Sequence, residues 1–291
     1  MRSIAPKTGP MLSKSTPSPR RGEGKARVSL RQRLFLVVAT GGLGVFACGG
    51  VATGQSPYYP LPAGTCPPTQ NTIVGTELND IRSGTALNDL MFGGGGGDLF
   101  EGAAGDDCLI MGVGNDRANG NDGADRVIGE AGDDQLGGNA GADSISGQGG
   151  NDLLNGADDN DRLRGGLGND RITAGNGRDY ASGGTGNDRL SMGGAVDRST
   201  GGPGNDRVFG GPQGDRVNGG SGADRVRGDS GRDRVSGGRG ADTLIGGGGR
   251  DRIIGRDGGT RDRVNCGRGR DVAIVDSADL VSANCEIVRI G

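Results

Sequence analysis

The sequence predicts an all-β protein: a parallel β-roll (β-helix) solenoid of nonapeptide repeats, with short disulfide-tied caps. Three observations predict it. Twenty aspartates, from Asp80 to Asp251, stand nine residues apart without a slip in register. Most of them follow a Gly-x-x-Gly-x tract and precede, by two places, an apolar residue. Glycine makes up 66 of 291 residues, but its period of nine separates the chain from the triplet period of collagen.

The cleanest copies are Gly165-Gly166-Leu167-Gly168-Asn169-Asp170-Arg171-Ile172, Gly201-Gly202-Pro203-Gly204-Asn205-Asp206-Arg207-Val208 and Gly219-Gly220-Ser221-Gly222-Ala223-Asp224-Arg225-Val226. Each reads as a six-residue turn feeding a three-residue strand whose middle side chain faces inward and whose neighbours face out. Two units make one coil of eighteen residues. The inward position is large and apolar in sixteen of the twenty units, from Met91 and Phe100 to Leu244 and Ile253. The exceptions are Arg82, Ala118, Ala181 and Ser199. A single unit buries nothing by itself, so these side chains must stack coil on coil into a thin continuous core. The twenty units make about ten coils at the usual strand spacing of about 4.8 Å. Glycine fits turns that need positive φ and a close approach of backbones.

The same register lines up carboxylates in two rows, one along each edge of the roll, roughly 5 Å apart. Repulsion at that spacing is about 1 kcal/mol per pair in bulk water and several at an effective dielectric near 20. A hard cation taking six to eight oxygens removes it, and glycine carbonyls in adjacent turns supply further oxygens. Calcium fits this donor set. Zinc would call for His or Cys, and the chain has no His.

These nonapeptides resemble the RTX-type hemolysin calcium-binding repeat over residues 72 to about 273. The resemblance implies multiple Ca²⁺ ions lying between the turns of successive coils and held by Asp from both. Carried over position by position, the ligands are Asp80, Asp89, Asp98, Asp107, Asp116, Asp125, Asp134, Asp143, Asp152, Asp170, Asp179, Asp188, Asp206, Asp215, Asp224, Asp233, Asp242 and Asp251. Pairing each register Asp with the one eighteen residues on gives eighteen sites at most. Fewer are expected to fill, because Gly156–Asn160, Met192–Val196 and Gln213 depart from the pattern. Gly and Asp also mark ordinary turns, but ordinary turns do not recur at one spacing twenty times.

The expected organisation is a signal peptide or lipoprotein leader at 1–48, a lead-in at 49–71, the roll at 72–255 and a cap at 256–291. Residues 1–33 hold nine Lys or Arg against the single acid Glu23, and Leu34–Ala47 is a run of apolar and small residues. That is a basic n-region followed by an h-region too short for a mature membrane anchor. Val45-Phe46-Ala47-Cys48 resembles a bacterial lipobox with Cys48 as the lipidated residue, and a lipid there is the one membrane link expected. The alternative is ordinary cleavage near Ala52 or Gly54. Either route exports the chain to the extracellular space or cell surface. Without residues 1–48 the chain holds 24 bases, all Arg, against 35 acids, a net charge of −11. Four cysteines then remain for an oxidising compartment. Cys266 with Cys285 and Cys66 with Cys108 is the favoured pairing, and the other two connectivities stay open.

After Asp251 the register breaks, and Val272–Ile290 is richer in aliphatic residues. The stretch from Asp262-Arg263-Val264-Asn265-Cys266-Gly267 to Asn284-Cys285-Glu286 resembles the cap of exported actinobacterial calcium-binding repeat proteins. A cap is needed because an open coil edge is a template for aggregation.

The chain is not expected to be an enzyme. Gly228-Asp229-Ser230-Gly231 copies a serine-protease tetrad, but it sits in repeat register and no His exists to act as base. Gly93–Gly97 lacks the Lys-Ser/Thr of a phosphate loop. The residue after the register Asp is Arg in eleven of twenty units. Arg171, Arg189, Arg207 and Arg225 form one outward ladder, and Arg198, Arg216, Arg234 and Arg252 another. The plain reading is that they balance the acidic turns and keep sheets apart; the sharper one is a grip on an anionic cell-surface polysaccharide. Specific nucleic-acid recognition is not expected from a chain with no Trp and few other aromatics.

Overall fold

A computed structural model describes Cys66 and residues 68–291. The expected leader, Cys48 and nearly all of the lead-in lie outside these residues. Among the described residues there are 25 strands and no helix.

Because each unit turns the chain by half a coil, consecutive strands fall into opposite sheets. One sheet has 13 strands and the other 12, all parallel, each strand beside the next but one in sequence. Arg162 lies beside Tyr180 and Arg171 beside Arg189, the eighteen-residue register that the aspartate spacing implies. Thirteen strands at about 4.8 Å give a roll roughly 58 Å long, about twelve coils rather than ten.

The strands are longer than the three residues expected. Arg162–Leu167 and Arg171–Asn176 each span six, leaving only Gly168, Asn169 and Asp170 as the turn between them. The reason is register: the glycines after the inward residue stay opposite their counterparts, as Gly166 does with Gly184, so the ladder runs on through them. At the corner Gly168 has φ +115°, and a Cβ there would collide with the Gly150 carbonyl of the preceding coil. The left-handed position two residues earlier in the unit admits side chains in several coils. Asn121, Glu130, Asn139 and Gln148 occupy it with φ of 76–77°.

Inside, the two inward rows meet in one continuous core from Met91 and Phe100 to Val275. Ala118, Ala181 and Ser199 are buried with the rest, while Arg82 turns to Asp80. The core is thin, with little more than one large apolar side chain for every nine residues held in place. Both ends are tied covalently. Cys66–Cys108 staples the lead-in to the roll, and Cys266–Cys285 closes the last coils.

Residues 256–291 extend the solenoid. Arg263–Gly269 and Leu280–Val281 join the smaller sheet, and Val272–Val275 and Ile287–Ile290 the larger. The two extra residues between Asp251 and Asp262 loop out around Asp257 and Thr260, whose side chains hydrogen-bond each other.

Candidate metal centre

The corners of the roll share one plan. A strand ends, a short turn follows, of three residues in most coils, and its last residue is an Asp whose side chain folds back under the corner. One edge carries Asp89, Asp107, Asp125, Asp143, Asp161, Asp179, Asp197, Asp215, Asp233, Asp251 and Asp271. The other carries Asp80, Asp98, Asp116, Asp134, Asp152, Asp170, Asp188, Asp206, Asp224, Asp242 and Asp262. All are buried, and all but Asp80 are no more than 3% exposed.

Their two oxygens have different roles. Oδ1 accepts the backbone N–H of the Asp one coil earlier: Asp170 donates to Asp188, Asp188 to Asp206 and Asp206 to Asp224, each at 2.8 Å. The other edge repeats it, with Asp179 donating to Asp197 and Asp197 to Asp215 at 2.8 Å. These charge-assisted bonds stitch coil to coil. Oδ2 is different: from Asp98 and Asp107 through to Asp262 and Asp271 it is buried without any hydrogen-bond partner. A few such atoms per hundred residues are ordinary, but a continuous row of them on each edge calls for a ligand.

Burial and like-charged neighbours show in the titration of these groups. Burial pushes Asp125, Asp134, Asp143, Asp170, Asp206 and Asp242 up to about 7, against the pull of the N–H from the previous coil and with a further push from adjacent carboxylates. Asp107 and Asp233 are pushed to about 6, again chiefly by burial. A buried oxygen that can only accept, in a row of its own kind, is neutralised by a proton or by a cation.

The surrounding atoms suit a hard cation. The unit's first glycine leaves open the space beside Oδ2, and a main-chain carbonyl of the next coil borders the same space. A Cβ on Gly228 would lie 2.5 Å from Asp233 Oδ2 and 2.7 Å from the Gly246 carbonyl oxygen. On Gly210 it would lie 2.8 Å from Asp215 Oδ2 and 2.6 Å from the Gly228 oxygen. Among the described residues no three His, Cys, Asp or Glu side chains converge as a metal cluster. The donor set is therefore a few carboxylate oxygens completed by carbonyls, the all-oxygen chemistry of calcium.

The structure distinguishes turns that the sequence pattern treats alike. At the first coil the Oδ2 of each row is already held by protein, while Asp89 Oδ1 stays buried without a partner. Asp80 Oδ2 accepts the Thr76 N–H at 2.7 Å and its hydroxyl at 2.8 Å, while Oδ1 takes Arg82 at 2.7 Å. The Thr76 hydroxyl holds this carboxyl below the usual range. Asp89 Oδ2 is held in the same way by Thr85, at 2.6 and 3.0 Å. In four turns the first glycine is replaced: Met111 before Asp116, Ala174 before Asp179, Met192 before Asp197 and the disulfide-bonded Cys266 before Asp271, all fully buried. Their side chains fill the space that glycine leaves open elsewhere.

Four further carboxylates sit in the rows as the others do: Asp161, Asp197, Asp262 and Asp271, each with an orphaned Oδ2. The nine-residue spacing was a sufficient signal for the first two. The last two are shifted by two residues, yet Asp242 and Asp251 donate to them at 2.8 Å across twenty residues of chain. Among the described residues twenty register Asp have an orphaned Oδ2, ten per edge. That gives nine neighbouring pairs per edge, again eighteen in all: sixteen of the earlier pairs, with Asp80/Asp98 and Asp89/Asp107 replaced by Asp242/Asp262 and Asp251/Asp271.

Fold and site together define a class, parallel β-solenoids whose corners present rows of inward-folded carboxylates to a hard cation. The profile of the RTX calcium-binding nonapeptide repeat (4 copies) matches the chain in ten segments, the first at residues 74–109 and the last at 236–273. The chain belongs to this family, whose repeats bind multiple calcium ions. Calcium binding by the β-roll follows. No curated protein matches the chain.

Proposed function

We propose that this protein is an exported, non-catalytic module that calcium folds into a rod, with the interior corner aspartates as its ligands. The observation that carries the reading is the row of buried, partnerless Oδ2 atoms on each edge. The ligands run from Asp98 and Asp107 to Asp262 and Asp271. Asp80 and Asp89 fall outside the set, because threonine already occupies their Oδ2 oxygens. The turns of Asp116, Asp179, Asp197 and Asp271 are weaker sites, because a side chain stands where the others have open space.

Bound calcium would neutralise the two rows and join each coil to the next. The protein's own groups do the rest: Oδ1 fixes the coil register, the glycines leave room for the ion, and the inward apolar rows close on each other. Without the ion the thin core must offset both the ordering of a glycine-rich chain and the crowding of buried charge. Extracellular calcium modules bind at about 10⁻⁴ to 10⁻³ M, a range that keeps such a chain unfolded in calcium-poor compartments. The basic n-region and apolar run of the leader support export. N-terminal sequencing of the released protein tests it, and retention of residues 1–48 would contradict it.

Small-angle scattering on the purified chain tests the folding claim. It should show an expanded chain in excess chelator and a compact rod after calcium is returned. An unchanged rod in chelator would contradict it.

A further inference from the structure

We infer that the edge bearing Asp179, Asp197, Asp215, Asp233 and Asp251 is a calcium-gated groove for a linear, carboxylate-bearing polysaccharide. This rests on the calcium reading above and goes beyond it. A groove of about 990 Å³ runs along this edge over six successive corners. Its strand-side wall is the ladder Arg198, Arg216, Arg234 and Arg252, paired in register from one strand to the next. The turn-side wall is a second row, Arg178, Arg232 and Arg250, each directly preceding its Asp. In the last coils this gives Arg-Asp-Arg at 232–234 and again at 250–252. All seven guanidiniums are exposed, and none is in an ion pair; the salt bridges among the described residues are Arg82–Asp80 and Arg227–Asp229.

The opposite edge has the same aspartates but a different row of residues before them. There the residue before the Asp is Asn151, Asn169, Asn187 or Asn205, and each side-chain oxygen accepts a backbone N–H of the next coil at 2.7–2.9 Å. One of its ladder arginines, Arg189, lies over the Phe209 ring at 5.0 Å. The two edges therefore differ in what they can hold. One has an arginine ladder flanked by Arg178, Arg232 and Arg250, with Val196 and Gly214 in the coils between; the other has a single ladder above an amide row.

Calcium sets the sign of the groove. Calcium first folds the coils that form the groove, and in the rod a floor without metal would carry one carboxylate per coil and oppose any anion. One divalent ion shared between each pair of carboxylates reverses the floor charge and leaves both arginine walls uncompensated. The guanidinium fork takes carboxylates bidentately, and a straight ladder at about 4.8 Å per step suits an extended chain whose carboxylates recur at every step or every second step. The groove's aromatic content is the single Tyr180, so base stacking has no platform there.

The experiment measures binding of the full chain to immobilised hyaluronate, with neutral dextran as the blank and single-stranded DNA as competitor. Two multiple variants are compared with the parent. One carries Arg232→Gln, Arg234→Gln, Arg250→Gln and Arg252→Gln; the other carries Arg171→Gln, Arg189→Gln, Arg207→Gln and Arg225→Gln on the opposite edge. The expected result is calcium-dependent, salt-sensitive binding that falls by about tenfold or more in the first variant and by under about twofold in the second. Both variants should keep the parent's bound-calcium count and circular dichroism. Equal losses from the two edges, binding that persists in chelator, or DNA displacing hyaluronate at lower charge concentration than hyaluronate itself would overturn the inference. A parent that folds with calcium but binds no hyaluronate overturns the groove alone. A parent that takes up no calcium overturns the underlying reading.

Discussion

In the first coil of the roll, Asp80 and Asp89 are held by the N–H and hydroxyl of Thr76 and Thr85; in every later coil the corresponding oxygen is buried and alone. The same residue in the same register thus has two fates, decided by the residue four places before it. Threonine brings a hydroxyl donor and closes the site from within. The later coils lack that threonine, whether Gly166 stands before Asp170, Ala157 before Asp161 or Asn139 before Asp143, and Oδ2 is left to an outside partner. The roll therefore begins with a coil whose Oδ2 atoms are closed by threonine, near the Cys66–Cys108 staple, and continues with coils whose Oδ2 atoms need a cation.

The largest expected effect acts on all the interior coils together. Burial raises Asp233 to about 6 and Asp206 to about 7, and pushes Asp116, Asp152 and Asp188 in the same direction, so in the metal-free state these groups hold protons more tightly folded than unfolded. Metal-free stability should therefore be fullest below the ordinary value of 3.8 and be lost as pH rises through about 7. Circular dichroism in chelator should show more β-structure near pH 4 than near pH 8, and calcium should restore the difference at the higher pH. Asp80, whose carboxyl is shifted the other way, takes no part in this.

A smaller effect separates single aspartates. Asp206→Ala leaves the buried Asp188 N–H without its acceptor, worth about 1–3 kcal/mol, and removes a ligand shared by two pairs. It should lower both the denaturant midpoint and the calcium count. Asp80→Ala should leave the count unchanged. Gly228→Ala places a methyl group between Asp233 Oδ2 and the Gly246 carbonyl and should destabilise by about 1–3 kcal/mol, with weaker calcium binding at that corner. The smallest effect is that of Thr85→Val, which keeps shape but removes a donor to Asp89, for about 1 kcal/mol. Replacing Thr76 and Thr85 with Gly sharpens the comparison. The first coil should then behave as the others do, with a higher calcium count and a greater sensitivity to chelator.

Much of this was legible in the sequence because the repeat is strict. Nine-residue spacing gave two inward rows, alternation of strands between sheets, and the aspartate edges; the favoured cysteine pairing also appears in the structure. What stayed hidden lay where chemistry departs from period. Thr76 and Thr85 look like ordinary turn residues until their hydroxyls are seen on the carboxylates. Asp262 and Asp271 fall off the nine-residue count, because a loop at Asp257–Thr260 absorbs two residues without disturbing the stack. The strand length was underestimated, since glycine suggests turn but here continues the ladder, as at Gly166. Arg178, Arg232 and Arg250 escaped notice because they are not regular in sequence; only the closed coil sets them beside the ladder arginines.

The central claim is that calcium supplies the missing partner of the interior carboxylates. Its most direct test is a calcium titration of the purified chain at neutral pH, counting bound ions and following the far-ultraviolet β signal in the same samples. The signal should grow in step with the ions bound, and the count should level off at several per chain without exceeding the eighteen neighbouring pairs. A full β signal before any calcium is added, with no ions taken up afterwards, would contradict it.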